Sequence, residues 1–531
     1  MKQILLATTL ALTVIVSSPF GRGQTAVEAW VQRYQEADSD DSRPLAIAVD
    51  SSGKAIVTGY SRDTNYFDLK HWVTIAYSSV GAPLWTNRYR GPGSFYNDQP
   101  NAVAVDAAGN AFVAGVAFNI DGDQDYVVIK YSTMGVALWT NRYNGPGNGN
   151  DGANAVTVDG SGNVIVTGLS IGTNGLSSYF DYATIKYSGA GVPLWTNRYN
   201  GPTNNEDEAT DLAVDSSGNV VVTGISLGYA YADYLTIKYS SAGVPLWTNR
   251  YNGAGDNDDR ARALAVDGNG NVFVLGDSFN GTQQEYATVA YSGGGVPLWT
   301  NRYHAPGSGY TVAYTIAADS SGNVFVTGNG GYGSTNGGYA TIKYSNAGTP
   351  LWTNRYNGPS VYSSSDTARA IAVDGGGNVI VTGDSYRDFV TRDIATIAYS
   401  NAGVPLWTNR YNGPANGDDV PLTKQSLALG PGGSVYVAAA ADGDYSQDTI
   451  FDFATVKYIV SGPSLFITRS NASVILSWPG SALNFQLQEN TDLSLSNDWS
   501  AVAASRSTNN GFISVTVPAI GSRKFFRLSS F

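Results

Sequence analysis

The chain has 531 residues, enough for more than one domain and for large buried cores. Only 14% of residues are charged while glycine (62) and tyrosine (34) abound, which suits short strands and tight turns and excludes a helical bundle or a disordered chain. The formal net charge of −12 disfavours nucleic acid and anionic membranes as partners, and with no cysteine and two histidines, enzyme chemistry is narrowly constrained.

At the N-terminus Lys2 precedes an apolar stretch from Ile4 to Val16, followed by small and polar residues. The stretch is too short to span a bilayer comfortably and reads as a signal peptide over residues 1–24, cleaved near residues 22–26. A buried hydrophobic strand is the alternative. No lipid-anchor cysteine follows, and no later segment is long and apolar enough to be transmembrane. The expected location is therefore secreted, periplasmic or at the cell surface.

Self-similarity dominates the rest of the chain up to about residue 460. The phrase LWTNRY recurs at Trp85, Trp139, Trp195, Trp247, Trp299, Trp352 and Trp407, with a degenerate copy, AWVQRY, at Trp30; successive tryptophans are 52 to 56 residues apart. Between them recur phrases typified by AVDSSGNVVVTG (Ala213 to Gly224) and DYATIKYSGAG (Asp181 to Gly191). Turn signals divide each period into four strands. Strand a ends in AVD, an Asp-x-x-Gly-Asn turn leads to strand b (NVxVTG), a variable loop to strand c (YATIKY) and a short glycine turn to strand d (LWTNRY).

The a–b–c set occurs eight times, beginning near Ala46, Ala102, Ala155, Ala213, Ala263, Thr315, Ala370 and Ser426; these sets are repeats 1 to 8. Repeat 8 lacks a strand d after it, and the spare strand d stands at the other end, in AWVQRY. Four antiparallel strands per period of about 50 residues is the arithmetic of a propeller blade, and a ring of eight closes if the N-terminal strand completes the last blade. The predicted fold is thus all-β, an eight-bladed β-propeller over residues 25–460, monomeric; seven blades is the second choice. A β-solenoid has shorter, parallel coils.

These phrases resemble the bacterial β-propeller repeat of the SBBP type, whose pattern runs roughly D-x-A-x-x-IAVDxxGNxYVTG…D-x-F-x-x-K-x-x-x-x-G. The resemblance covers about residues 28–460. AVDxxGN is shared with NHL-type propellers, and GVPLW (Gly243 to Trp247) is similar to the tryptophan-docking motif of quinoprotein dehydrogenases. What these resemblances imply is architecture, not activity.

From Ser461 the repeat stops. Residues 461–531 hold about six alternating segments, the pattern of a small β-sandwich, with Trp478 and Trp499 expected in its core and KFFRL as the final strand. The segment resembles the fibronectin type III-like C-terminal modules of large exported bacterial proteins.

Because strands alternate in direction, the a–b and c–d turns share one face of the propeller, and the b–c and d–a connections share the other. The first pair hardly changes between repeats. The second varies: SRDTNYFDLK, NIDGDQD, SIGTNGLSSYFD and SLGYAYAD join strands b and c in repeats 1 to 4. Variation confined to one face of a repeat array marks a binding face, the alternative being plain solvated connections. Tyr229 and Tyr231 are candidate ligand contacts there, because aromatic faces stack on sugar rings.

DGDQD places Asp121, Asp123 and Asp125 at positions 1, 3 and 5 of a calcium loop, so calcium is the candidate metal. Position 12 is Ser132, however, so the loop is no EF-hand, and Asp125 recurs as Asp181, Asp233, Glu285, Asp393 and Asp452, which favours a structural role. DGDYSQD (Asp442, Asp444, Asp448) is similar. Asp98, Asp151, Asp207, Asp259 and Asp366, eight residues before the AVD-type aspartate, read as caps at the start of strand a. The recurring arginine of TNRY predicts bonding between blades. GLSIG and GISLG match G-x-S-x-G but sit where a strand meets a loop, not a helix, and no histidine is placed beside them.

His71 and His304 break their repeats and fall on the variable face, as candidate ligand contacts or as surface histidines without a role. The near-identity of the repeats leaves no obvious acid, base and nucleophile, so the expected function is a non-enzymatic binding or scaffold propeller with a glycan, cell-surface or protein ligand and no required cofactor. The alternative is a propeller enzyme, either sugar-active or a quinoprotein-like dehydrogenase. Against the latter stand the missing adjacent-cysteine pair and the lack of a distinctive Glu–Asn–Asp calcium set.

Overall fold

The aspartate that ends strand a folds the chain back on itself. Asp215 Oδ1 accepts the backbone N–H groups of Ser217 and Asn219, each at 2.9 Å, while Oδ2 accepts the Asn219 side chain at 2.9 Å. The same three bonds recur at Asp159, Asp319 and Asp374. One short polar side chain thus satisfies the donors of a tight hairpin turn, which is why this phrase is repeated so closely.

The protein is described by a computed structural model over residues 24–36, 39–63, 69–93, 97–172, 179–306, 310–332, 337–360, 366–388, 390–443, 451–461, 466–470, 473–479, 485–490, 500–509, 512–518 and 525–530. The expected signal peptide up to residue 23, Asp444, Asp448 and Trp499 lie outside the described residues. The chain is all-β. Repeat 4 shows the plan, with strands Asp207–Val214, Val220–Leu227, Ala232–Tyr239 and Pro245–Tyr251 forming an antiparallel meander in which Val222 pairs with Leu212 on one side and Ile237 on the other. Repeats 2 to 7 each form such a four-stranded sheet.

Strands b and c are nearly continuous apolar runs because both of their faces are covered. The covering comes from the neighbouring repeat. Phe112, Tyr126 and Val128 of repeat 2 share one core with Val164, Val166 and Ile185 of repeat 3, and the interfaces from there to repeat 7 follow the same plan. Sheets stacked in chain order, each core shared with the next, make a β-propeller.

The two ends of the repeat array meet. The strand Thr25–Tyr34 pairs with Phe451–Ser461, strand c of repeat 8. Ile47, Val57 and Ile75 of repeat 1 share a core with Tyr436, Ala438 and Phe453 of repeat 8, with Trp30 and Tyr34 packed against it. A single parallel bridge, Asp41 to Phe451, merges the sheets of repeats 1 and 8. The larger compact unit comprises Glu28–Gly403 and Asn409–Tyr458.

Beyond Ile459 a second unit holds two sheets. One orders Phe466–Ser470, Ser473–Pro479, Phe512–Pro518 and Arg506–Asn509; the other orders Ser500–Ala501, Phe485–Asn490 and Phe525–Ser530. Val474, Leu476, Trp478, Leu487, Val515 and Phe526 form its buried core.

Candidate functional site

The residues that the repeats share hold the ring together. In strand d the indole of Trp195 donates to the Ser241 carbonyl of the next repeat at 3.1 Å, and Asn197 donates to the Gly243 carbonyl at 2.7 Å. Gly243 has φ +83°, and a Cβ there would lie 2.7 Å from the Trp195 ring, so the position needs glycine for both reasons. The arginine of TNRY reaches the other way. Arg142 donates to Asp125 of its own repeat at 2.8 Å and to the Tyr89 hydroxyl of the preceding repeat at 3.1 Å; Arg198 makes the matching contacts to Asp181 and Tyr143, and Arg410 to Asp393 and Tyr356. These bonds join the repeats, as the recurrence predicts.

The aspartates before strand a are buried caps. Asp151 accepts the Gly145 N–H at 2.5 Å, Asp207 that of Gly201 at 2.5 Å, and Asp98 those of Gly91 and Phe118 at 2.6 and 2.8 Å. Burial pushes the carboxyls of Asp207 and Asp419 up to about 6 and about 7.

Of the calcium-loop residues, Asp125 is buried on Arg142, whereas Asp121 and Asp123 donate their backbone N–H groups to Asn119 Oδ1, each at 3.0 Å. Among the described residues, no three carboxylates or imidazoles converge on one point. Tyr229 is 97% exposed and Tyr231 43% exposed, both on the b–c connection of repeat 4. His304 lies in the connection between repeats 5 and 6, half-buried.

His71 corrects the expectation of a surface histidine: it is buried at the start of strand c, where every other repeat except repeat 6, with Gly338, carries an acid. Its Nε2 lies 2.8 Å from Glu36 Oε2, and Glu36 also pairs with Arg88, the TNRY arginine of repeat 1. Glu36, from the connection entering repeat 1, thus supplies the carboxylate that strand c supplies elsewhere. Burial raises the Glu36 carboxyl, but His71 and Arg88 outweigh it and hold it below its usual range. None of the contacts of His71 involves His304.

What the repeats do not share gathers at the centre. Strand a carries a one-residue bulge in repeats 1 to 7, and the bulged residues are Leu45, Asn101, Asn154, Thr210, Arg262, Tyr314 and Arg369. Asn154 donates to the Ala209 carbonyl at 2.9 Å and to Glu208 Oε1 at 3.1 Å, and Thr210 donates to the Ala261 carbonyl at 3.0 Å. Arg262 pairs with Asp277, and Arg369 with Asp384 at 2.8 Å while its guanidinium covers the Tyr314 ring. Asp277 and Asp384 stand where repeats 3 and 4 have Leu169 and Ile225.

In repeat 8 strand a is broken into Asp419–Val420 and Leu427–Leu429. The intervening Lys424 crosses to the opposite side of the ring, its Nζ donating to the carbonyls of Thr210 and Arg262 at 3.0 and 2.9 Å and pairing with Asp211 at 3.0 Å. A lysine of repeat 8 that bonds strands a of repeats 4 and 5 places those strands around the ring's centre. There Asn154, Glu208, Thr210, Arg262, Tyr314 and Lys424 line a cavity of about 300 Å³. Burial raises the Glu208 carboxyl. Sequence reading missed this site. Its signal was two positions of strand a that change between repeats, those of Glu208 and Thr210, together with the irregular PLTKQS of repeat 8.

No protein-family profile matches the chain, and no curated protein does. Similar solved structures include Sqt1 of Chaetomium thermophilum bound to the N-terminus of ribosomal protein L10, at 10% identity over 80% of this chain and 100% of that one, with a TM-score of 0.46. The periplasmic gluconolactonase PpgL of Pseudomonas aeruginosa is 13% identical over 69% of this chain and 95% of that one, with a TM-score of 0.40. The β-propeller domain of the Trilobed protease of Pyrococcus furiosus is 6% identical over 69% and 98%, with a TM-score of 0.39.

Proposed function

We propose that the protein is an exported, non-enzymatic binding or scaffold propeller that works through its b–c and d–a connections on an extracellular glycan or protein. In this reading residues 1–24 are a signal peptide, residues 25–460 an eight-bladed monomeric ring and residues 461–531 a β-sandwich. The observation that carries it is the division of labour among side chains. Shared charges are consumed in docking repeat to repeat, while the connections that differ between repeats present free aromatic surface, Tyr229 foremost at 97% exposure.

The test is a glycan array probed with the full chain, followed by titration of the best-bound glycan against Tyr229→Ala and Ser216→Ala. An aromatic contact is worth on the order of 1 kcal/mol beyond its area, so Tyr229→Ala is expected to weaken binding about fivefold and Ser216→Ala, on the opposite face, to leave it unchanged. Equal losses, or a loss at Ser216 alone, would assign the working face wrongly. The enzymatic alternative draws support from the asymmetric charges of the central cavity. Activity or a new absorbance band on adding pyrroloquinoline quinone and calcium would favour it.

A further inference from the structure

We propose that the central cavity is a second binding site, independent of the loop face, for a neutral polyhydroxylated molecule the size of one monosaccharide. Arg262 and Lys424 in the wall are each neutralised, by Asp277 and Asp211. Glu208 forms no ion pair among the described residues and is held by the amide of Asn154. Its uncompensated carboxylate repels an anion, and the N–H donors that Arg262 keeps beyond its Nε need an acceptor, which a simple cation does not offer. A neutral ligand meets neither penalty.

Chemistry narrows the class further. A carboxylate with a free oxygen accepts hydrogen bonds from vicinal hydroxyls, and a guanidinium offers five N–H donors, of which Asp277 engages the Nε end of Arg262. Hydroxyls that both donate and accept satisfy Glu208 and Arg262 together. Tyr314, one face of which Arg369 covers, adds an aromatic ring to the same wall, and aromatic rings are the usual partner for the C–H face of a sugar ring. The volume, about 300 Å³, equals about ten waters and suits one sugar ring. It also stands at the lower limit for small-molecule pockets. The ring's repetition makes the site single: only repeats 3 to 6 and 8 line it, each with a different residue type at the strand a position.

The experiment is ligand-observed NMR and calorimetric titration of the full chain with glucose, galactose, mannose and N-acetylglucosamine, with acetate and tetramethylammonium as anionic and cationic probes. At least one sugar is expected to bind in preference to both ions. Glu208→Gln is expected to weaken that sugar at least tenfold, and Ser216→Ala to leave it unchanged. Should Glu208→Gln fail to fold, Tyr314→Ala provides the same reading, again with about a tenfold loss expected. Binding of no sugar, preference for either ion, or unchanged sugar affinity in the folded variants would overturn the proposal. The loop-face reading fails or stands on Tyr229→Ala, so the two are distinguishable.

Discussion

The indole of Trp30 donates to the carbonyl of Ser79 at 3.2 Å, the bond that Trp85 makes to Thr133 at 3.1 Å one repeat later. A residue near the start of the chain thus performs, for repeat 8, the docking that strand d performs for repeats 1 to 6. Lys457 of repeat 8 reaches the same Ser79 carbonyl at 2.7 Å, and Tyr436 donates to the Gly53 carbonyl at 3.0 Å. Trp30→Ala should therefore lower stability by about 2 kcal/mol, less than a fully buried tryptophan because Trp30 is half-buried. Deleting residues 24–35 should cost several kcal/mol more, through two exposed strand edges. Urea denaturation of the three proteins measures both; coincident midpoints would show that the strand closes nothing.

The glycine turns separate two costs. Gly243→Ala places a Cβ against Trp195 at a positive φ, whereas Gly162→Ala, at φ +78°, meets nothing within 4 Å. The second should cost about 1 kcal/mol for backbone conformation alone. The first should cost about 3 kcal/mol, the ring contact added. Equal shifts in thermal midpoint would mean that the tryptophan yields freely.

Asp419 gives the ring a pH dependence of definite sign. Its carboxyl is raised to about 7 by burial, so between about pH 4 and 7 the folded state holds a proton that the unfolded state has lost. Stability from this group is therefore present at low pH and falls as pH rises, by about 1.4 kcal/mol per pH unit across that window. Asp419→Asn keeps an acceptor for Gly413 and removes the titration. Its denaturation midpoint relative to the native chain should climb from pH 4 to 7, and a constant difference would contradict the assignment.

Residues 24–460 should fold without the C-terminal segment, since the larger compact unit carries its own continuous set of cores. A cooperative β-sheet melt by circular dichroism is the expected result; a non-cooperative one would mean that the unit depends on residues 461–531.

Strand identities were legible because each phrase carries its own turn: Asp215 with Gly218 and Asn219, Gly243 against Trp195. Pairing of the first strand with the last repeat was legible from a count of phrases. The central cavity was not. A bulge breaks the period-two alternation of strand a, so alternation cannot say which side Arg262 or Tyr314 takes. Nor does sequence show that Lys424 crosses to repeats 4 and 5, a contact more than 160 residues away. The exchange of Asp for His71 was visible, but its compensation by Glu36 depends on the closed ring.

Hydrogen–deuterium exchange of the full chain, with and without its best-bound glycan, tests the account of the working face most directly. The account predicts slowed exchange in the b–c and d–a connections, Gly228 to Tyr231 included, with the Asp215–Asn219 turn and its counterparts unchanged. Slowed exchange confined to the a–b and c–d turns would contradict it.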